Sequence, residues 1–100
     1  MEEGVFRNIN VLEALKVELL QAQCCFQQGM IQHSDEDILK GLADMIGLCY
    51  LLARRMGLDF AKVDRVLMQR LEEWRTTEKT DLETWWGDLS MLQNYLAPEE

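Results

Sequence analysis

Proline is almost missing from this sequence: the single one, Pro98, stands near the very end. Until then nothing removes a backbone donor or fixes a φ angle, so no position is closed to a helix on that ground. Glycine is scarce too, six in 100 residues, and no glycine-rich loop of the kind that cradles phosphates is present. Cysteine is limited to Cys24, Cys25 and Cys49, two adjacent and one alone, which is not a metal-ligand spacing. The odd count, without an apolar N-terminal signal segment, predicts a reducing cytoplasm, with the thiols as small buried hydrophobes. Basic residues are outnumbered, 10 Lys and Arg against 18 Asp and Glu, for a net charge of −8. An acidic surface repels phosphate backbones, so DNA and RNA are not expected as partners, whereas a cation is compatible with that sign. No stretch reaches the roughly 18 apolar residues of a membrane span, because Lys40, Asp44, Arg54 and Arg55 interrupt the best candidate.

What remains is a helical pattern. Hydrophobic residues make up 48% and charged ones 28%, a globular composition, and no strand-like alternation of useful length occurs. Val11, Leu12, Leu15, Leu19, Ala22 and Phe26 recur at helical spacing, predicting a first helix from about Asn8 or Asn10 to Gln28 with Gly29 as its stop. Ser34 followed by Asp37 has the form of a capping box and opens a second helix, about Asp35 to Met56. Arg54 and Arg55 before Gly57 suit its C-terminus. Asp59 caps a third helix, about Phe60 to Arg75, with Val63, Val66, Leu67 and Leu71 turned inward. After a polar break at RTTEKT, Thr80 with Glu83 is a second capping-box candidate, opening a segment over about 81–96 that Gly87 bends or splits. Four helices with short links predict an all-α fold, an antiparallel four-helix bundle-like single domain over 1–100 with core helices over about 8–75.

The second helix lacks a polar side. From Gly41 to Ala53 every residue but Asp44 is apolar or small. A helix apolar all round is buried all round, and a chain this short reaches that most easily against another copy of itself. A homo-oligomer, dimer or tetramer, is therefore expected.

Asp44 then needs a reason, since an uncompensated buried carboxylate is costly. Asp37, Gly41 and Asp44 fall at i, i+4 and i+7 on one helix face, and Glu18 sits among apolar residues in LKVELLQA. If the first two helices pack antiparallel, Glu18 and Asp44 meet. Opposed carboxylates in a helical bundle are a recurring way to hold a divalent cation, and Mg²⁺ so held bridges to substrate phosphates. The competing reading is an Asp tied to a neighbouring Tyr, Trp or Arg and a Glu turned to solvent.

The arrangement LKVELLQA followed by KGLADMIGLCYLLARRMGLDFAKV resembles the all-α nucleotide pyrophosphohydrolases of the MazG type. Closer still is a resemblance to the MazG-like family, short bacterial relatives whose C-terminal ELEKWYGDLSxLLxYL type of segment corresponds to DLETWWGDLSMLQNYL here. It covers roughly Asn8 to Leu96. The enzymes carry EExxE on one helix and ExxD on the next. By this resemblance Glu18 corresponds to the last acid of the first motif, while its two leading acids would fall on Ala14 and Leu15. Asp44 corresponds to the acid that ends the second motif, and Gly41 stands where its first acid belongs. Of these positions only Glu18 and Asp44 keep their acids, and Glu13 and Asp37 lie nearby as substitutes. No spare carboxylate offers itself as a general base, so no catalytic residue is assigned.

The resemblance therefore implies a MazG-like protein related to Mg²⁺-dependent nucleoside triphosphate pyrophosphohydrolases, with a degenerate acidic site. Its expected role is a weakly active or non-catalytic nucleotide or metal binder, or an oligomeric scaffold. One alternative is a working enzyme cleaving between the α and β phosphates. Another is a structural module that docks a protein partner through WWGDLSMLQNYL. Arg65 and Arg70 on the third helix are candidates for phosphate contact, against pairing with nearby acids. Trp85, Trp86 and Tyr95 are expected to seal the core or a subunit contact before they stack on a base.

Overall fold

The computed structural model describes residues 2–97, so Pro98 lies outside the described residues. Among the described residues the chain forms five α-helices and no strand. They are α1 (Glu2–Gln32), α2 (Asp35–Arg55), α3 (Phe60–Glu73), α4 (Thr80–Trp86) and α5 (Asp88–Leu96), with a π-helical turn at Trp74–Glu78. The all-α expectation holds. By its internal contacts the chain divides into two compact units, one ending at Phe60 and the other starting at Ala61.

The first unit is a helical hairpin. Its buried and half-buried residues include Leu12, Leu15, Leu19, Ala22, Phe26 and Gly29 on α1, and Ile38, Gly41, Met45, Leu48 and Leu52 on α2. Both sets advance in alternating steps of three and four, the seam of two helices wound closely together. Where the seam is tightest the residues are smallest. Ala22 and Ala53 are buried. A Cβ placed on Gly29 would lie 2.8 Å from the backbone N of Ile38, and one on Gly41 would lie 2.7 Å from the backbone N of Phe26. The two backbones thus touch at both glycines, and any side chain there would force them apart.

Gly29 consequently does not stop α1, as its sequence context suggested. The helix runs on to Gln32 and ends on His33, whose φ is 55°. Ser34 N donates back to Gly29 O at 2.9 Å, closing the last turn. Ser34 then caps α2 as expected, its hydroxyl accepting from Asp37 N at 3.3 Å. At the other end of α2, Gly57 takes φ 86°. There Leu58 N donates to Ala53 O at 2.9 Å and Gly57 N to Arg54 O at 3.1 Å, the paired bonds of a Schellman motif. Tyr50 meets Phe60 edge-to-face at 5.7 Å.

Within this one chain, α2 is exposed outside the seam. Leu39 is 66% and Ile46 62% exposed, and Asp44 is exposed as well. A two-helix hairpin covers one stripe of each helix, and α2 carries apolar residues on more than one. The thiols differ from expectation: Cys24 and Cys49 are exposed, and only Cys25 is half-buried.

In the second unit Leu71 is fully buried and Leu89 nearly so. Val66, expected to face inward, is exposed. The polar break after α3 is a π-helical turn, with Lys79 N bonded to Trp74 O. Glu72 on α3 accepts from Arg75 Nε at 3.1 Å and from Gln93 Nε2 of α5 at 2.9 Å. Gly87, at φ 66°, splits the last segment into α4 and α5. Glu83 does not serve α4, which has no side-chain cap. Its carboxylate accepts from both N and Oγ of Ser90 and so satisfies the start of α5. Trp85, Trp86 and Tyr95 are exposed and seal no core within this chain.

Candidate functional site

A cleft of about 370 Å³ opens along one flank of the α1–α2 seam. Helix α1 contributes Glu18, Gln21, Ala22 and Cys25, and α2 contributes Lys40, Asp44 and Leu48. The helical repeat explains the choice: positions 18, 21, 22 and 25 lie on one side of α1, and 40, 44 and 48 are successive turns of α2. Ala22 and Leu48 belong to the seam and form the floor. The charged and polar side chains stand on the rim.

Glu18 and Asp44 therefore face one space, although they belong to different helices and are 26 positions apart in the sequence. Neither makes an ion pair among the described residues, so both carboxylates remain available. Among the described residues Asp44 is not tied to a neighbouring aromatic or arginine side chain, while both Asp44 and Glu18 are exposed to solvent, as the competing reading has it for the Glu.

The other sequence candidates lie elsewhere. Glu13 is exposed and paired with Lys16 at 3.0 Å, one turn along α1. Asp37 sits in the first turn of α2, where Gly29 comes against it and Cys25 Sγ reaches its carbonyl oxygen at 3.7 Å. Neither lines the cleft. Arg65 is an exposed residue of α3. Arg70 bonds Glu78 at 3.0 Å, also pairs with Glu73, and lies 5.6 Å from the centre of the Trp74 ring. The hydrogen bond to Glu78, ahead of the charges of both acids, holds the Arg70 guanidinium above its ordinary range.

Gly41 answers to packing. Its α-carbon faces the Phe26 backbone, so a carboxylate in its place would meet α1 and not the cleft. At this position, where the resemblance implied an acid, stands a residue that lets the helices close. Among the described residues no three His, Cys, Asp or Glu side chains are grouped to hold a metal ion. Mg²⁺ demands six oxygens but commonly takes only one or two of them from carboxylates, the rest coming from water and substrate phosphates. Glu18 and Asp44 alone do not make a closed cage for a resident ion.

Lys40 is the rim residue that the sequence pattern did not single out. It stands four positions before Asp44, hence on the same face, and that spacing was its only signal. The charged residues that line the cleft are thus one base and two acids.

No helix of the described residues is long and apolar enough to cross a membrane. No curated protein and no solved structure matches this chain. A family model does match, over residues 5–89, a span that contains both walls of the cleft, α3, α4 and the start of α5. With 85 of its 100 residues inside that match, the chain belongs to the MazG-like family, which is related to nucleoside triphosphate pyrophosphohydrolases.

Proposed function

We propose that this protein binds a nucleoside triphosphate as its Mg²⁺ complex in the Glu18–Asp44 cleft, on an oligomeric helical scaffold, with weak or no pyrophosphohydrolase activity. The observation that supports this reading is that both acids line one cleft while position 41 is closed by the backbone of Phe26. Glu18 and Asp44 supply two oxygen ligands to the ion, and the phosphates and water supply the others. The same two carboxylates are then occupied by the ion, which leaves no third to take a proton from an attacking water. Binding survives on this arrangement, and catalysis is weak or lost.

Exposed apolar residues of the hairpin support the oligomer. Leu39, Leu42 and Ile46 follow one another at steps of three and four on α2, a second stripe of the same form as the seam. In an assembly of chains this stripe buries against its counterpart, which gives the apolar composition of α2 its use.

The test is pyrophosphate release from the common nucleoside triphosphates in the presence of Mg²⁺, with wild-type and Asp44→Asn chains. The expected result is the same background rate for both. Mg²⁺-dependent release that Asp44→Asn abolishes would establish the working enzyme instead.

A further inference from the structure

Lys40 is the one cation lining a cleft whose other charged groups are the carboxylates of Glu18 and Asp44, and its ammonium makes no ion pair among the described residues. Glu36, four positions before it on α2, and Asp44, four after, are both within i, i+4 spacing, yet neither pairs with it. We propose that Lys40 makes this cleft select a metal–polyphosphate complex over the bare metal ion. The inference rests on the binding reading above and adds to it the residue that decides which species enters.

The argument is one of charge. A bare divalent ion entering between Glu18 and Asp44 is attracted by two negative charges and repelled by one positive charge in the same small space. It also finds two protein ligands where six oxygens are wanted. Both deficits vanish when the ion carries a triphosphate. The phosphates complete its coordination, and their surplus negative charge turns Lys40 from a repelling group into a contact, since an ammonium donates charge-assisted hydrogen bonds to phosphate oxygens. The side chain is also placed for it, on the same α2 face as Asp44 and one turn away, so that a ligand held by the carboxylate lies within reach of the amine. Gly41 between them adds no bulk on this side, because it is turned to Phe26.

Substitution at position 40 separates the two effects. Lys40 is exposed, so Lys40→Met and Lys40→Glu should fold, which circular dichroism and a thermal melt would check. Mn²⁺ alone, and Mn²⁺ with inorganic triphosphate, are the probes, read by calorimetry and by electron paramagnetic resonance of the bound ion. Wild type is expected to take the triphosphate complex and to bind bare Mn²⁺ far more weakly. Lys40→Met should lose about tenfold in affinity for the complex, equivalent to about 1.4 kcal/mol. Lys40→Glu, with three acids on the rim, should gain about tenfold for the bare ion and lose the complex. Equal binding of the complex by wild type and Lys40→Met overturns the role of Lys40 and leaves the binding reading intact. The same holds if Lys40→Glu folds and takes up no more bare ion than wild type. A wild-type chain that binds neither probe overturns both.

Discussion

Gly41 of α2 lies directly on the backbone of Phe26 in α1, where an added Cβ would stand 2.7 Å from the Phe26 nitrogen and 2.9 Å from its α-carbon. Backbone atoms in the middle of a helix cannot step aside as the end of a side chain can. This contact sets the distance between the two helices, and hence the width of the cleft in which Glu18 and Asp44 stand.

Gly41→Ala is therefore expected to destabilise the protein. Overpacking a close contact costs about 1–3 kcal/mol, against about 1 kcal/mol of helix propensity gained by alanine. Because the contact is backbone on backbone, the upper end applies, for a net loss of about 2 kcal/mol in a denaturant titration. Gly47, six residues along the same helix, is the control: a Cβ there meets nothing within 4 Å, and Gly47→Ala should stabilise by up to about 1 kcal/mol. A stabilised Gly41→Ala chain would show that the helices are free to separate.

Restoring the family's acid should fail for the same reason. Gly41→Glu places a carboxylate on the α1 side of the helix, so the expected outcome is a lower melting temperature and no gain in Mg²⁺ affinity by calorimetry. A well-folded Gly41→Glu chain that binds Mg²⁺ more tightly would contradict the geometry.

Glu18→Gln and Asp44→Asn each remove one ligand charge from the cleft. A ligand that binds only the folded chain raises its melting temperature. The rise given to wild type by millimolar Mg²⁺ with a nucleoside triphosphate should be lost in either variant, while Glu13→Gln, whose carboxylate pairs with Lys16, should keep it. Equal rises in all four chains would place the ligand elsewhere.

Light scattering checks the assembly. Wild type is expected to run as a dimer or tetramer, and the pair of changes Leu39→Lys and Ile46→Lys to shift it towards a monomer, since both residues lie on the exposed stripe of α2. A wild-type chain that is monomeric at micromolar concentration would remove the oligomer from the proposal.

The second unit has its own pH dependence. Glu72 is held below its ordinary value of 4.5 by the hydrogen bond from Arg75 and then by that from Gln93. A carboxyl whose folded value is depressed stabilises the fold above its unfolded value and ceases to do so as pH falls through the folded one. Glu72→Gln should thus melt below wild type at neutral pH, and the difference should shrink as the medium is taken below pH 4.5. A difference that stays constant across that range would assign the effect to packing.

The helices were legible because their signals are local. Ser34 before three acidic residues, two arginines before Gly57, and a glycine at position 87 each act within one turn of the backbone, and all three mark real boundaries. Gly29 and the Thr80–Glu83 pair misled for the complementary reason. Gly29 is small because Ile38 of another helix lies against it, and Glu83 bonds Ser90 across the turn at Gly87. Neither partner is within reach of a local pattern. The acids of the cleft fall between these cases: their identities came from a motif, while their place on one cleft depended on how the hairpin closes.

By itself, then, the sequence determined an all-α chain of this family and named Glu18 and Asp44, since helical periodicity, capping and motif order are written in neighbouring residues. Tertiary structure alone decided that Gly41 is held against α1, that Lys40 joins the two acids, and that α2 keeps an apolar stripe in the open. Those facts depend on which face of one helix meets which face of another. That is set by how closely two backbones can approach, a distance no single segment contains.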